Sequence, residues 1–208
     1  MKSILFSFLM LAAMAGSAQS DKYNAAMKKN LDLFDSAKTT ADFQALANTF
    51  ERIGDAEKTQ WLPYYYAGLA LSTPGWSDAK LDKDANATRI NTLCDKAAAL
   101  DNNSEIYVLR YMSATQQMMV DPQTRWQTYG VQATKDLDEG LKLNPDNPRL
   151  YYMRGESIFN TPEAFGGGKA KAKPFFEKAV ALYKTDKPKP LWPNWGLERT
   201  EIDLAKCQ

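Results

Sequence analysis

The side chains that most often carry out chemistry in proteins are sparse in this chain. It has 208 residues and no histidine, which removes histidine acid–base relays, Ser-His-Asp triads and the commonest metal-binding imidazole. The segment from Asp82 to Asn86 has acidic spacing like that of a calcium loop. However, Ala87 replaces the turn glycine and Leu93 the closing glutamate. We therefore expect a solvated link with a helix cap there, and predict no catalytic, cofactor or metal site in the chain.

A second candidate for chemistry is the glycine-rich segment that runs from Phe165 to Lys169. Backbone amides at a glycine-rich helix start can hold an anion, and a lysine would help. The segment is not a Walker loop, because its spacing differs and no Ser or Thr follows the lysine. We favour a flexible link that lets Phe165 pack beneath the following helix.

The elements that must position any site are helices. Apolar residues recur every three or four positions from Met27 to Leu182, whereas strand alternation and Asn-Gly hairpin turns are missing. Gly and Pro turn signals divide the chain into eight core helices and a short terminal one around Leu197–Lys206. Helix N-caps are predicted at Thr40, Ser104 and Asp121.

The strongest local pattern lies in residues 137–159, and it resembles the junction between two tetratricopeptide (TPR) repeats. The matching positions are Gly140, Leu143, Asn144, Pro145, Asn147, Tyr151 and Gly155. Small residues recur at equivalent positions of other helices, where they would let neighbouring helices approach closely. Stacking such pairs buries one continuous core. The resemblance implies an all-α, right-handed TPR-like stack of about four antiparallel helix pairs with a C-terminal capping helix.

The repeat departs from the TPR family in its period. Gly68, Met112 and Gly155 follow one another at roughly 44 residues, against about 34 in a TPR. The extra residues fall in long links within the pairs. The chain is similar to small exported TPR-like proteins of bacteria and, more remotely, to the TPR-like component of tripartite periplasmic transport systems, whose members bind a partner protein or handle a small ligand.

The register of the repeat assigns one face of the first helices to a concave groove. The residues predicted to face it, and to bind a ligand or partner, are Tyr65, Leu109, Gln116, Arg149, Tyr152 and Glu156. Arg149 and Tyr152 could bind a carboxylate or an extended peptide. The alternative is that the groove is merely solvated or covered. Trp192 and Trp195 are expected to cover the open face of the last repeat rather than form an exposed recognition tip.

The N-terminal segment predicts the compartment of the protein, and the net charge indicates which partners are not favoured. Lys2, the apolar run of residues 4–15 and small residues up to Ala18 are typical of a secretory signal peptide, too short for a membrane anchor. Residues 19–208 would then form a single exported domain, periplasmic or secreted. With a net charge of +1, nucleic acid and anionic membranes are not favoured as partners. Cys94 and Cys207 could pair after export or remain separate thiols.

These observations predict a non-enzymatic exported scaffold that binds a protein or peptide partner in its groove, without a cofactor. The alternative is a small-ligand-binding component of a periplasmic transport system. The two differ in what occupies the groove, a polypeptide or a small molecule. The helical pattern supports either.

Overall fold

The computed structural model describes residues 21–208, and the predicted signal peptide lies outside the described residues. Within that range the regular secondary structure is helical and includes no strand. The helices are α1 (residues 21–34), α2 (Thr40–Glu57), α3 (Leu62–Ser72), α4 (Lys83–Leu100), α5 (Ser104–Met118), α6 (Pro122–Arg125), α7 (Val131–Leu143), α8 (Pro148–Asn160), α9 (Lys169–Thr185) and α10 (Leu197–Ala205). A π-helical turn, Trp126–Gly130, joins α6 to α7. None of the helices in residues 21–208 combines the length and apolar character needed to cross a membrane.

The helix starts follow local capping chemistry. Asp121 caps α6 as predicted, but Thr39 and Asn103 cap α2 and α5, one residue before the predicted Thr40 and Ser104. The physical reason is that a cap needs an extended backbone and a side-chain acceptor. Thr39 has both and forms a reciprocal capping box with the first turn of α2. Asp82 accepts hydrogen bonds from two backbone amides of α4, which confirms the helix cap predicted for the calcium-like segment.

Consecutive helices pack against each other along most of the chain. The packed pairs are α2 with α3, α3 with α4, α4 with α5, α5 with α7, α8 with α9 and α9 with α10. Buried apolar side chains from Tyr23 to Cys207 form one connected core. This arrangement confirms an all-helical array, while the right-handed TPR-like stack stays a prediction.

The small residues of the repeat permit close approach between helices. A β-carbon at Gly155 would lie 2.5 Å from the ring of Phe176, and one at Gly140 would lie 2.8 Å from Leu150. Such distances are shorter than van der Waals contact. The α7–α8 segment therefore needs glycine at these positions because neighbouring side chains occupy the space.

The glycine-rich link before α9 differs from the prediction. Phe165 is 82% exposed, so the prediction that it packs beneath α9 is wrong. Gly166 and Gly168 on either side of the bend have positive φ angles, and the bend directs Phe165 into solvent.

Cys94 and Cys207 are both free and buried. Burial raises the pKa of Cys94 to about 12, so this thiol behaves as a small hydrophobe.

Residues 187–196, which we call the C-terminal strap, cross back over the first half of the chain. Pro188, Pro190 and Pro193 prevent the strap from continuing α9 as a helix. Trp192 packs edge-on against Trp61 with ring centroids 5.1 Å apart. The predicted role is thus corrected for Trp192, which covers the start of α3, remote in sequence. Trp195 contacts both Tyr65 of α3 and Arg149 of α8.

Candidate ligand-binding cavity

Arg149, predicted to bind a ligand in an open groove, is instead held by an internal ion pair. Its Nε and Nη2 atoms donate to the Glu105 carboxylate at 2.8–2.9 Å. The two side chains are only 5% and 4% exposed. Its Nη1 atom also donates to the backbone oxygen of Trp195 in the strap at 3.4 Å. The guanidinium is therefore committed to the fold, and the strap covers it.

The other predicted groove residues are mostly buried as well. Tyr65 is buried beneath the strap and accepts a hydrogen bond from Trp195. Gln116 is also buried and donates to the Ser72 carbonyl at 2.8 Å. Leu109 packs on Gly68. Tyr152 is buried as well, and its ring lies next to that of Phe176.

Glu156 is the partly exposed member of the predicted set, and it faces α10. It shares a hydrogen bond with Asp203, whose carboxylate also accepts from Arg199 at 2.9 Å and Lys206 at 2.6 Å. Burial, followed by the Asp203 charge, raises the pKa of Glu156 to about 7. Five of the six residues predicted to line the groove are therefore buried, which agrees with the alternative that the groove is covered. The register placed them on one face, but the strap and neighbouring helices occupy that face.

A cavity of about 420 Å³ instead opens on a different seam, between α4, α5, the π turn and α7. Its position follows from helix geometry, since residues three or four apart share a face. Arg110, Ala114 and Gln117 supply one wall from α5, and α7 with the π turn supplies the opposite one. The full lining is Asn91, Arg110, Ala114, Gln117, Thr128, Tyr129, Gln132 and Asp136.

The π turn determines which side chains reach the outer end of the cavity. A π turn adds a residue to the helical cycle, and such turns are frequent at functional sites. Tyr129 on this turn is half-buried, and the Arg125 guanidinium lies 5.7 Å from its ring centroid. Arg125 is held in place by Asp84 at 2.8 and 2.9 Å. The outer end thus presents an aromatic ring beside an oriented cation.

The inner end of the cavity is charged. Asp136 is 4% exposed and accepts a hydrogen bond from Gln132 at 2.9 Å. Its burial raises the pKa of Asp136 to about 6. Arg110 lines the same end and pairs with Asp95 at 2.6 Å.

Apolar side chains remain exposed on the chain segments next in sequence to the cavity-lining residues. Trp126, the first residue of the π turn, and Val131, the first residue of α7, are 54% and 57% exposed. Met119 and Val120, at the end of α5, are each 48% exposed. Exposed apolar groups beside a cavity are typical of ligand-binding surfaces.

The described residues thus define, as a class, an all-α helical array with a surface cavity. No protein-family model matches the chain, and no curated protein matches it. Among solved structures, it is similar to the HusA haemophore from Porphyromonas gingivalis, with 33% sequence identity and a TM-score of 0.78. The match covers 89% of this chain and 92% of that chain. The chain therefore belongs to the family of this haemophore.

The family corrects the predicted partner. A haemophore is a haem-binding protein, so the relative binds a small ligand and is not an enzyme. The predicted scaffold for a protein or peptide partner is wrong, and the small-ligand alternative agrees better with the relative. Repeat register had pointed to a polypeptide because TPR arrays usually bind one. The likeness to a haemophore over most of both chains overturns that inference.

Proposed function

We propose that this protein binds haem as cargo, in the cavity between α5 and α7. The observation that carries the proposal is the 33% identity with a haemophore across nearly the whole of both chains. The cavity lies within the range of about 300–1,000 Å³ that is common for small-ligand sites. Its lining includes the Tyr129 ring, on which a flat aromatic ligand can stack.

The chain has no histidine with which to hold haem iron. Tyrosine phenolate is one of the known axial ligands of haem. Tyr129 lines the cavity, and the Arg125 guanidinium, held by Asp84, lies 5.7 Å from its ring centroid. We therefore assign Tyr129 as the iron ligand of this proposal, with Arg125 positioning its ring.

Export fits a haem-capturing role. The expected cleavage near Ala18 would release residues 19–208 as a single periplasmic or secreted domain, and N-terminal sequencing of the exported protein should begin near Gln19. A right-handed TPR-like stack remains our proposal for the arrangement of the helix pairs.

Titration of ferric haem into the purified protein tests the proposed function. We expect a saturable shift of the Soret band with one haem per cavity. Y129F should alter the Soret and charge-transfer bands and weaken binding at least about tenfold, because the iron would lose its ligand. Y151F is a matched control, since Tyr151 is also partly buried and has a lysine nitrogen 5.8 Å from its ring centroid.

Absence of saturable binding by the wild-type protein would overturn the function. Wild-type spectra for Y129F, together with wild-type affinity, would instead remove Tyr129 as the iron ligand. Haem that binds equally well to an unrelated helical protein would show that the association is non-specific.

A further inference from the structure

The two ends of the cavity differ in chemistry. Tyr129 on the π turn lines the outer end, whereas Arg110 and Asp136 bring opposite charges to the inner end. Arg110 and Gln117 are seven residues apart on α5, which corresponds to about 10 Å along a helix axis. A ligand that spans the cavity would therefore meet an aromatic ring at one end and a guanidinium at the other.

Arg110 has capacity for a second acidic partner. Its Nη2 atom is 2.6 Å from Asp95, and the Asp95 side chain is 71% exposed. A guanidinium has five N–H donors, and that bond engages one of its nitrogen atoms. An exposed ion pair is also weak. A carboxylate entering the cavity can therefore bind the guanidinium without breaking a buried pair.

Asp136 is the group best placed to oppose such a carboxylate. It is buried in α7 and bonded to Gln132 on its own helix. Arg110 from α5 and Lys135 beside it are the cations whose charges act on it. From α4, the Asp95 carboxylate interacts with the Arg110 guanidinium, and the Cys94 thiol is close enough to interact electrostatically with Asp136.

We propose that Arg110 binds a carboxylate group of the cargo and that ionised Asp136 competes for the same guanidinium. The inference rests on the proposed function and specifies its substrate class, a planar ring compound with an acidic side chain. When Asp136 is protonated, the exposed Asp95 is the remaining carboxylate at the Arg110 guanidinium, which can then accept the cargo carboxylate. When Asp136 is ionised, the two negative charges repel each other, and the cargo binds less tightly.

The direction of the pH effect follows from proton linkage. Asp136 has a pKa of about 6, so it is largely protonated at pH 5.5 and ionised at pH 7.5. A cargo carboxylate, with an ordinary pKa of about 4.3, is ionised at both values. If the bound carboxylate raises the pKa of Asp136 by about one further unit, affinity should fall about sixfold between pH 5.5 and 7.5.

The test uses iron-free protoporphyrin and its dimethyl ester, which share one ring but differ in their carboxyl groups. Fluorescence titrations of the full exported protein would be made at both pH values. The acid should bind more tightly than the ester and lose affinity as pH rises, while the ester should be insensitive to pH. D136N should keep the tight binding of the acid at pH 7.5. R110Q should reduce the affinity for the acid to that for the ester.

R154Q is the matched control. Arg154 pairs with Asp138 at 2.5 Å, and its side chain is 23% exposed, against 27% for Arg110. Arg154 does not line the cavity, so R154Q should bind the acid as the wild type does. Circular dichroism would confirm that each variant is folded.

Three outcomes would count against the inference. Equal wild-type affinity for acid and ester, or an unchanged affinity for the acid in R110Q, would overturn carboxylate recognition alone. Retention of the pH effect in D136N would remove Asp136 as the competing group. Failure of both porphyrins to bind the wild-type protein would overturn this inference together with the proposed function.

Discussion

The indole nitrogen of Trp195 donates a 2.9 Å hydrogen bond to the hydroxyl of Tyr65, across 130 positions of sequence. Next to this bond, Tyr66 donates to the Leu191 carbonyl at 2.9 Å. The strap is therefore tied to α3 by specific polar bonds as well as by aromatic packing. This contact closes the face that repeat register assigns to an open groove.

Replacing Trp195 with phenylalanine should destabilise the fold. W195F removes the donor to the buried Tyr65 hydroxyl and some packing area, and we expect a loss of about 1–2 kcal/mol in the free energy of unfolding. Urea denaturation monitored by circular dichroism measures it. W126F is the control, since Trp126 is 54% exposed and should change stability by less than about 0.5 kcal/mol. Equal effects of the two substitutions would show that the strap contributes little.

Loss of the Arg149 guanidinium should be more costly. R149M leaves the Glu105 carboxylate buried without its cation, which typically costs about 3–5 kcal/mol. R154M removes the more exposed pair with Asp138 and should cost no more than about 1 kcal/mol. Both values come from urea denaturation at neutral pH. If R149M were as stable as R154M, the Arg149–Glu105 pair could not be an essential part of the fold.

Stability should fall as pH rises from about 5 to 8. The pKa of Glu156 is raised to about 7 in the fold, against about 4.3 for an unfolded glutamate. Between these values the folded state binds more protons than the unfolded state, so the stabilisation is full below the unfolded pKa and is lost as pH passes through the folded one. Thermal unfolding across this range measures the slope.

E156Q should reduce that slope, because glutamine does not titrate. Asp136, with a pKa raised to about 6, adds a decline of the same sign at lower pH. D136N therefore serves as the comparison that separates the two carboxyls. The interpretation would fail if E156Q retained the wild-type slope between pH 6 and 8.

Alanine at Gly155 should destabilise the protein despite its better helix propensity. In an open helix, Gly to Ala gains up to about 1 kcal/mol, but the new methyl group would lie 2.5 Å from the Phe176 ring. We expect a net loss of about 1–3 kcal/mol from overpacking. G130A is the control, since its nearest neighbour is the sulfur of Met118 at 3.1 Å, which can move. A G155A protein more stable than wild type would show that Phe176 yields easily.

Local chemistry made much of the helical framework predictable. Periodicity predicted helices throughout, Asp121 marked a helix start, and the small residues Gly140 and Gly155 marked close helix contacts. These features depend on neighbours within a few residues or on a spacing that repeats. For the same reason the cap positions of α2 and α5 were predicted to within one residue.

The candidate site was not predictable in the same way. Register identified Arg149 and Tyr152 as members of one face, but periodicity does not say what covers that face. The cavity at Arg110, Tyr129 and Asp136 depends on the register shift of the π turn and on how α5 meets α7. Neither is encoded in a short motif.

The sequence by itself determined an all-helical chain without histidine, with defined caps and glycine contacts, because those properties arise from residue type and local spacing. Only the tertiary structure decided that the strap fills the predicted groove and that a cavity opens between α5 and α7. Three prolines exclude a helix in the strap, yet they leave its docking site open. The strap docks where it does because it packs against Trp61 and forms hydrogen bonds with Tyr65 and Arg149, all more than forty residues away in sequence.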